Sequence, residues 1–270
     1  MDKVSIILPV FNCEKYLKHT IVSVQKQNYK NWELLIVDDA STDNSLSEAL
    51  KFAENDSRIQ VFQMPQNVGV GACRNVAMKH ATGRYLAFID SDDLWAKEKL
   101  SRQIVFMRKH KAALSHTAYA YMNAKGELLQ NGQNNVDEKI DMRQYMKTSQ
   151  IGMSTVMIDR EKTGSFMFPE DRELCEDAKL WMSFMRRGMF FYGLNQVLML
   201  YRVREHQLSR RKDKMATNTF RRYMKEDTLD KFERLYYFTR YACNAIKKRK
   251  CKRSVSAQFV QEQFNCRQAR

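Results

Sequence analysis

In the first hundred residues short apolar runs alternate with stretches of helical periodicity, and that alternation constrains the fold more than any other feature of the chain. Val4 to Val10 predicts a strand, and Glu14 to Gln27 carries Leu17, Ile21 and Val24 at helical spacing. Trp32 to Val37 predicts a second strand ending in Asp38-Asp39, Ser41 to Asn44 supplies capping residues for a helix through about Asn55, and Ile59 to Gln63 predicts a third strand. Gly69 to Ala81 predicts a helix entered through a glycine-containing loop, and Tyr85 to Asp90 predicts a fourth strand. Strands apolar on both faces and joined by helices require a largely parallel sheet covered on both sides. The expected class is α/β, with a Rossmann-like first half. It is not a dinucleotide site, because Gly69-Val70-Gly71-Ala72-Cys73-Arg74 lacks the third glycine of that fingerprint, and no P-loop lysine pattern occurs.

In such sheets ligands collect beyond the carboxyl ends of the strands. Phe88-Ile89-Asp90-Ser91-Asp92-Asp93 delivers three carboxylates to one of those ends. With no His or Cys among them they suit a hard cation, Mg²⁺ or Mn²⁺, that completes its shell with substrate phosphates. The alternative is an acidic turn that caps a helix at about Lys97. A second acidic pair, Glu176-Asp177, opens a helix whose apolar face includes Leu180, Trp181, Phe184 and Met185, and the helix dipole alone would favour carboxylates there.

Further along, Leu100 to Lys109 reads as helix and Ala113 to Met122 as a strand that turns at Asn123-Ala124-Lys125-Gly126. Residues 127–150 read as loops with a short helix, and Phe190 to Leu194 and Val197 to Val203 as two strands. From Phe220 to Lys248 a single amphipathic helix is expected, with Leu229, Phe232, Tyr236, Cys243 and Ile246 near one face. No apolar run approaches the roughly 18 residues of a membrane span, and the first residues lead into a strand rather than a signal peptide. The six cysteines are dispersed without metal-ligand spacing, which predicts reduced thiols in a cytoplasmic protein. The net charge of +15 is concentrated at the end: residues 201–270 hold 20 Lys or Arg against 7 Asp or Glu. That segment suits nucleic acid, an anionic membrane face or an acidic polymer, or is simply solvated.

Val4 to Asn12, Ile36-Val37-Asp38-Asp39-Ala40-Ser41-Thr42-Asp43, Asn67-Val68-Gly69 with Ala72-Cys73-Arg74-Asn75, and Phe88 to Asp93 together resemble the family-2 glycosyltransferases of the GT-A fold. The likeness continues through Glu176-Asp177-Ala178-Lys179-Leu180-Trp181 and Tyr201-Arg202 to Ser209, and extends more weakly to bacterial enzymes of surface-polysaccharide assembly, such as capsule or lipopolysaccharide. It implies a GT-A domain over 1–214, with a nucleotide-binding half (1–95) and an acceptor half (96–214), followed by a basic helical extension over 215–270. The sheet should be mixed but mainly parallel and flanked by helices.

The resemblance further implies a hexosyltransferase that moves a sugar, with inversion, from a UDP-sugar donor to a hydroxyl of a saccharide or lipid-linked saccharide acceptor. Pro9, Val10, Phe11 and Asn12 with Glu14 would wall the nucleoside, Asp39 would accept the uracil N–H, and Asp38 would serve the ribose or cap its turn. Asn67, Gly69, Arg74 and Ser91 complete the implied donor site. Asp90 and Asp92 match the D-x-D motif, with Asp92 as the direct ligand of Mn²⁺ or Mg²⁺, and His206 stands where some relatives have a further metal or diphosphate contact. Asp177 matches the family's general base, Glu176 and Trp181 fall on the acceptor side, and Arg202 and Arg204 could meet phosphates. The absence of a Q-x-x-R-W motif favours single transfer over polymerisation. Rival readings are a nucleic-acid-binding protein using the basic aromatic segment, which the carboxylate motifs oppose, and a sugar nucleotidyltransferase, for which no glycine-rich, lysine-containing motif is present. The expected location is the cytoplasm, with the basic segment on the inner face of the membrane.

Overall fold

The computed structural model describes residues 2–134, 136–148, 151–170, 175–204, 212–250 and 264. The alternation of the first half is realised as β1 (Val4–Val10), α1 (Glu14–Gln25), β2 (Trp32–Asp38), α2 (Ser45–Asn55), β3 (Ile59–Gln63), α3 (Val70–His80) and β4 (Tyr85–Phe88). β1 pairs in parallel with β2 on one side and β4 on the other, and β2 pairs in parallel with β3. All residues of β1 and β2 are buried. Alternate residues enter two different cores, which is why these strands are continuously apolar: Ile6 and Leu8 face Leu17, Ile21 and Val24 of α1, while Ile7 faces Cys73 and Ala77 of α3.

The second half makes the sheet mixed. After β5 (Leu94–Trp95) and α4 (Lys99–Lys109) come β6 (Leu114–Met122), β7 (Leu128–Asn134), β8 (Lys139–Ile140), α5 (Met142–Thr148) and β9 (Met157–Asp159). These are followed by α6 (Arg160–Thr163), α7 (Glu176–Arg186) and β10 (Phe191–Arg202). The strand order is β3-β2-β1-β4-β9-β6-β10-β5, with β7 added to β6 and β8 to β10. The three-residue β9 runs antiparallel to both β4 and β6 and joins the two halves. Two expectations change here. The two strands at 190–203 are one strand, β10, whose register against β6 shifts between Leu194 and Met199. Residues 127–150 contain β7 and β8 besides the expected helix, because Asn123 closes a hairpin by accepting from the N–H groups of Lys125 and Glu127 at 2.9 and 3.0 Å.

The C-terminal helix is also corrected. It is two helices, α8 (Lys212–Met224) and α9 (Lys231–Lys250). Asp230 accepts from Glu233 N at 2.8 Å while its own N–H donates to Glu233 Oε2 at 3.3 Å, a capping box that restarts the helix. Arg234 closes the preceding end by donating to Met224 O at 2.7 Å. The restart rotates the apolar face. Tyr237 is buried and Phe238 and Tyr241 partly so, whereas Phe232 is 86% exposed and Leu235, Tyr236 and Cys243 lie at the surface. Ile246, the last member of the expected face, has a side chain outside the described residues. Tyr223, Leu229 and Tyr237 join the core cluster built on β1, β2, α3 and α7. No helix among the described residues is long and apolar enough to cross a membrane.

Candidate active site

The parallel strands place their carboxyl ends along one edge, with Val10 level with Asp38 and Ile7 level with Phe88. Beyond β1 the chain turns at Asn12, whose φ is 47°, and docks on the loop after β2. Asn12 N donates to Ser41 Oγ at 3.0 Å, and Asn12 Oδ1 accepts from Thr42 N at 2.8 Å. Glu14 Oε2 accepts from the backbone and side chain of Asn44 at 3.0 and 2.9 Å. Asn12 and Glu14 therefore weld two loops together, while Phe11 is left exposed and Pro9 and Val10 are buried in β1.

Asp38 and Asp39 divide their work. Asp38 is fully buried; one oxygen accepts from Ser41 N at 3.0 Å and the other has no partner among the described residues. Asp39 accepts from Val68 N at 2.7 Å and Gly69 N at 2.9 Å, and its carbonyl receives the Asn67 amide at 3.3 Å. Gly69 has φ 95°, a conformation suited to glycine, and this lets two successive N–H groups point at one carboxylate. The Cys73 thiol also reaches this carboxylate, which leaves it one lone pair for a ligand.

The acidic turn follows β4 and does not cap a helix, since β5 intervenes and α4 begins at Lys99. Its three carboxylates differ. Asp93 is buried, accepts from Ser154 Oγ at 2.6 Å and Arg202 N at 3.0 Å, and braces the turn from behind. Burial and the charges of Asp92 and Asp90 raise its pKa well above the ordinary carboxylate value. Asp90 has a side chain 35% exposed and takes Arg74 Nη2 on Oδ1 at 2.9 Å. Asp92 sits 2.7 Å from Arg204 Nε, and its carbonyl accepts from Arg202 Nε at 2.8 Å. Ser91 contributes its carbonyl, which accepts from Thr20 Oγ1 at 2.9 Å. A cavity of about 600 Å³ lined by Asn12, Tyr16, Asp43, Asn123 and Arg204 opens beside this turn. A cavity of about 670 Å³ lies before β4 around Thr82. Its arginines are already engaged, Arg84 with Asp159 and Arg160 with the carbonyls of Ala81 and Gly83.

Arg74 connects this turn to the second acidic pair. From α3 its buried guanidinium donates to Asp90 and, through Nη1, to Glu176 Oε1 at 2.5 Å. Next to Glu176, Asp177 keeps some contact with solvent, and its Oδ1 accepts from Ala178 N at 2.7 Å. Burial first, then the neighbouring Glu176, raise its pKa to about 6, against the lowering pull of Arg74 and Arg222. A carboxylate poised there is ionised at neutral pH yet still able to take a proton. Two residues that the sequence reading left without roles shape the site. Asn75 holds the segment before α7 by accepting from Phe168 N at 2.8 Å and donating to Phe168 O at 2.9 Å. Ser154 donates to Asp93 and accepts from Asp90 N at 3.0 Å. Asn75 follows Arg74 directly in the quoted motif, so its position was a usable signal; Ser154 had none.

Not every expected residue reaches the cleft. Trp181 is fully buried, 5.1 Å from Phe191 and 6.5 Å from Phe168 ring to ring, so it is a core residue and not an acceptor contact. Its place on the apolar face of α7 explains this. Arg202 is buried and holds the carbonyls of the acidic turn and of Ala124. His206 lies outside the described residues. As a metal site, the turn offers two carboxylates with oxygen donors that fit a hard cation. Among the described residues no three His, Cys, Asp or Glu side chains converge on one point.

An open, mainly parallel α/β sheet with carboxylates at its strand ends is a ligand-binding scaffold, and the chain belongs to glycosyl transferase family 2, whose family model matches residues 5–163. It is 37% identical over 246 residues to TuaG of Bacillus subtilis (strain 168), a glycosyltransferase named for teichuronic acid biosynthesis, covering 91% of this chain and 97% of TuaG. It is 34% identical over 252 residues to Escherichia coli WfgD, a UDP-Glc:alpha-D-GlcNAc-diphosphoundecaprenol beta-1,3-glucosyltransferase, covering 91% of this chain and 94% of WfgD. Among solved structures, S. aureus TarS 1–349 in complex with UDP-GlcNAc superposes with a TM-score of 0.66 at 22% identity, covering 91% of this chain and 73% of that one. The mannosyltransferase PcManGT of Pyrobaculum calidifontis, in complex with GDP-Man and Mn²⁺, gives 0.64 at 15% identity, covering 97% and 79%. The fold is GT-A and the protein is a glycosyltransferase.

Proposed function

We propose that this glycosyltransferase moves a sugar from a UDP-linked donor to a hydroxyl of a lipid-linked saccharide during assembly of a bacterial surface polysaccharide, with inversion. The observation that carries the reading is the Arg74 bridge, which ties the acidic turn to the helix start that holds Asp177. The donor would lie along the carboxyl edge, with Asp39 and Asp38 toward the nucleoside and Asn67, Gly69 and the Asn12 loop around it. Asp92 and Asp90 would hold Mn²⁺ or Mg²⁺. The ion would neutralise charge on the departing diphosphate, a task Arg204 is placed to share. Asp177, raised by its surroundings, would take the proton of the acceptor hydroxyl, with Glu176 held by Arg74 beside it. WfgD, which acts on a diphosphoundecaprenol-linked sugar, supports the acceptor class. The test is a panel of nucleotide sugars including UDP-glucose and UDP-GlcNAc, scored by UDP release with and without Mn²⁺, with a GlcNAc-diphosphate lipid as acceptor. Release from no UDP-sugar would overturn the donor assignment.

Residues 1–214 would carry transfer and 215–270 would bring it to the acceptor. The exposed row Phe232, Leu235 and Tyr236 on α9, with Lys231 and Arg240 at the surface beside it, supports contact with an anionic lipid surface on the cytoplasmic side. Each basic group near such a surface contributes roughly 1 kcal/mol, and the aromatic row adds shallow insertion. Flotation with anionic and neutral vesicles checks this. Equal binding to both, or undiminished binding after neutralising Lys247, Lys248, Arg249, Lys250, Lys252 and Arg253, would refute it.

A further inference from the structure

The C-terminal helices, like α7, lie beyond the segment 5–163 that the family model matches, and they reach the start of α7. Helix α8 is fixed on α5 and α7 by Tyr223, whose hydroxyl donates to Met146 O at 2.7 Å, and by Glu226, whose buried carboxylate pairs with Arg186 at 3.1 Å. Arg222 stands on the same helix, one residue before Tyr223. Its Nη2 donates to Thr219 Oγ1 at 3.3 Å, and its buried Nε has no partner among the described residues. The guanidinium faces the Cys175 thiol and lies within electrostatic reach of Tyr145 and Asp177. Cys175 precedes Glu176 and holds a left-handed φ of 73°, so the turn into α7 is a strained one that needs support from its surroundings.

We propose that Arg222 is a positioning residue for glycosyl transfer, a cation that the C-terminal helices set against the Cys175–Asp177 turn to hold Asp177 in place and ionised. This rests on the reading of Asp177 as the base. The charged and titratable groups facing Asp177 are Glu176 and Cys175 from its own turn, Arg74 from α3, Tyr145 from α5 and Arg222 from α8. Of these groups only the two arginines favour the carboxylate, together with the Ala178 N–H that it accepts. Arg74 is committed on both terminal nitrogens, to Asp90 and Glu176. Arg222 pairs with no carboxylate among the described residues, so its charge is left to act on the turn. An exposed arginine would be screened; this one is set among Tyr145, Cys175 and Tyr223, where charge acts over a longer range.

The experiment titrates Asp177 directly in the full chain, without turnover. In protein labelled with [4-¹³C]aspartate, the Asp177 carboxyl resonance is the one lost in D177N. In R222M its midpoint should rise by about half a pH unit or more, while R222K, which keeps the cation, should leave it within about 0.2 of the wild type. R222Q replaces R222M if the latter fails to fold by circular dichroism. The acidic limb of the kcat/KM profile for UDP release should move by the same amount. An unchanged midpoint in folded R222M or R222Q overturns the proposal. So does a rate lowered equally at all pH in R222M and R222K, which would make Arg222 a packing residue. Because the titration needs no substrate, it stands apart from the donor panel.

Discussion

Replacing Asp177 with asparagine should damage catalysis and stabilise the fold, and the second effect should depend on pH. The carboxylate is raised from an ordinary 3.8 to about 6 by burial and by Glu176. At about 1.4 kcal/mol per pH unit, that displacement corresponds to roughly 3 kcal/mol if fully realised, and partial solvent access brings it to about 1–2 kcal/mol. A carboxyl whose folded pKa is raised stabilises the fold fully below its unfolded pKa and loses that contribution as pH rises through the folded value. The wild type is therefore penalised at pH 8, where it must hold a charge in an unfavourable place. The neutral amide of D177N has no such penalty, and its oxygen can still accept from Ala178 N. Calorimetry should show D177N melting about 2–4 °C above the wild type at pH 8, with about half of the gain left at pH 5 and most of it gone at about pH 4. Transfer should fall by about 10²-fold or more with donor affinity retained. An equal gain at pH 8 and pH 4, or none at pH 8, would mean that Asp177 is not held against its ionisation, and wild-type turnover would remove it as the base.

Asp92→Asn keeps the shape of the turn and removes one charge, so Mn²⁺-stimulated donor binding measured by calorimetric titration should weaken by roughly tenfold or more; unchanged metal dependence would rule Asp92 out as a ligand. Arg74→Met leaves Asp90 and Glu176 facing each other without their shared cation, and urea unfolding should show a loss of about 2–4 kcal/mol. A loss no larger than that of an exposed substitution would show that the bridge is dispensable. Gly71→Ala places a Cβ 2.6 Å from Pro169 O, a backbone atom that cannot rotate away. The helix-propensity gain of about 1 kcal/mol is smaller than the roughly 1–3 kcal/mol of overpacking, so the variant should unfold at lower urea, and equal stability would mean that the 168–170 segment yields freely.

The first four strands were legible because each is apolar on both faces and bounded by turn residues, and their carboxyl ends carry the acidic residues in the chain itself. Less visible were elements whose cause is remote in sequence. β9 has three residues and exists because β4 and β6 both present an edge to it. The break before α9 was written in Asp230-Lys231-Phe232-Glu233, but the apolar spacing ran through it and masked the capping signal. At the candidate site, the motif carboxylates were readable, while the difference between Asp92 and Asp93 was not. It arises because Ser154 and Arg202, from distant segments, take up Asp93. Trp181 misled because a motif position and a core position coincide on one face of α7, and only the packed sheet distinguishes them.

The place of β10 bears on when a chain of this kind becomes competent. β5 pairs with β10, and Arg202 at the end of β10 holds both Asp93 and the Asp92 carbonyl. During synthesis the acidic turn leaves the ribosome long before that strand, and until residue 202 has emerged the turn lacks these partners. A nascent or C-terminally clipped chain would thus carry the motif without its shape, with β6 presenting a bare edge open to pairing with other chains. Incomplete copies should therefore lack transferase activity and be prone to aggregate, so that only a chain finished through β10 is competent.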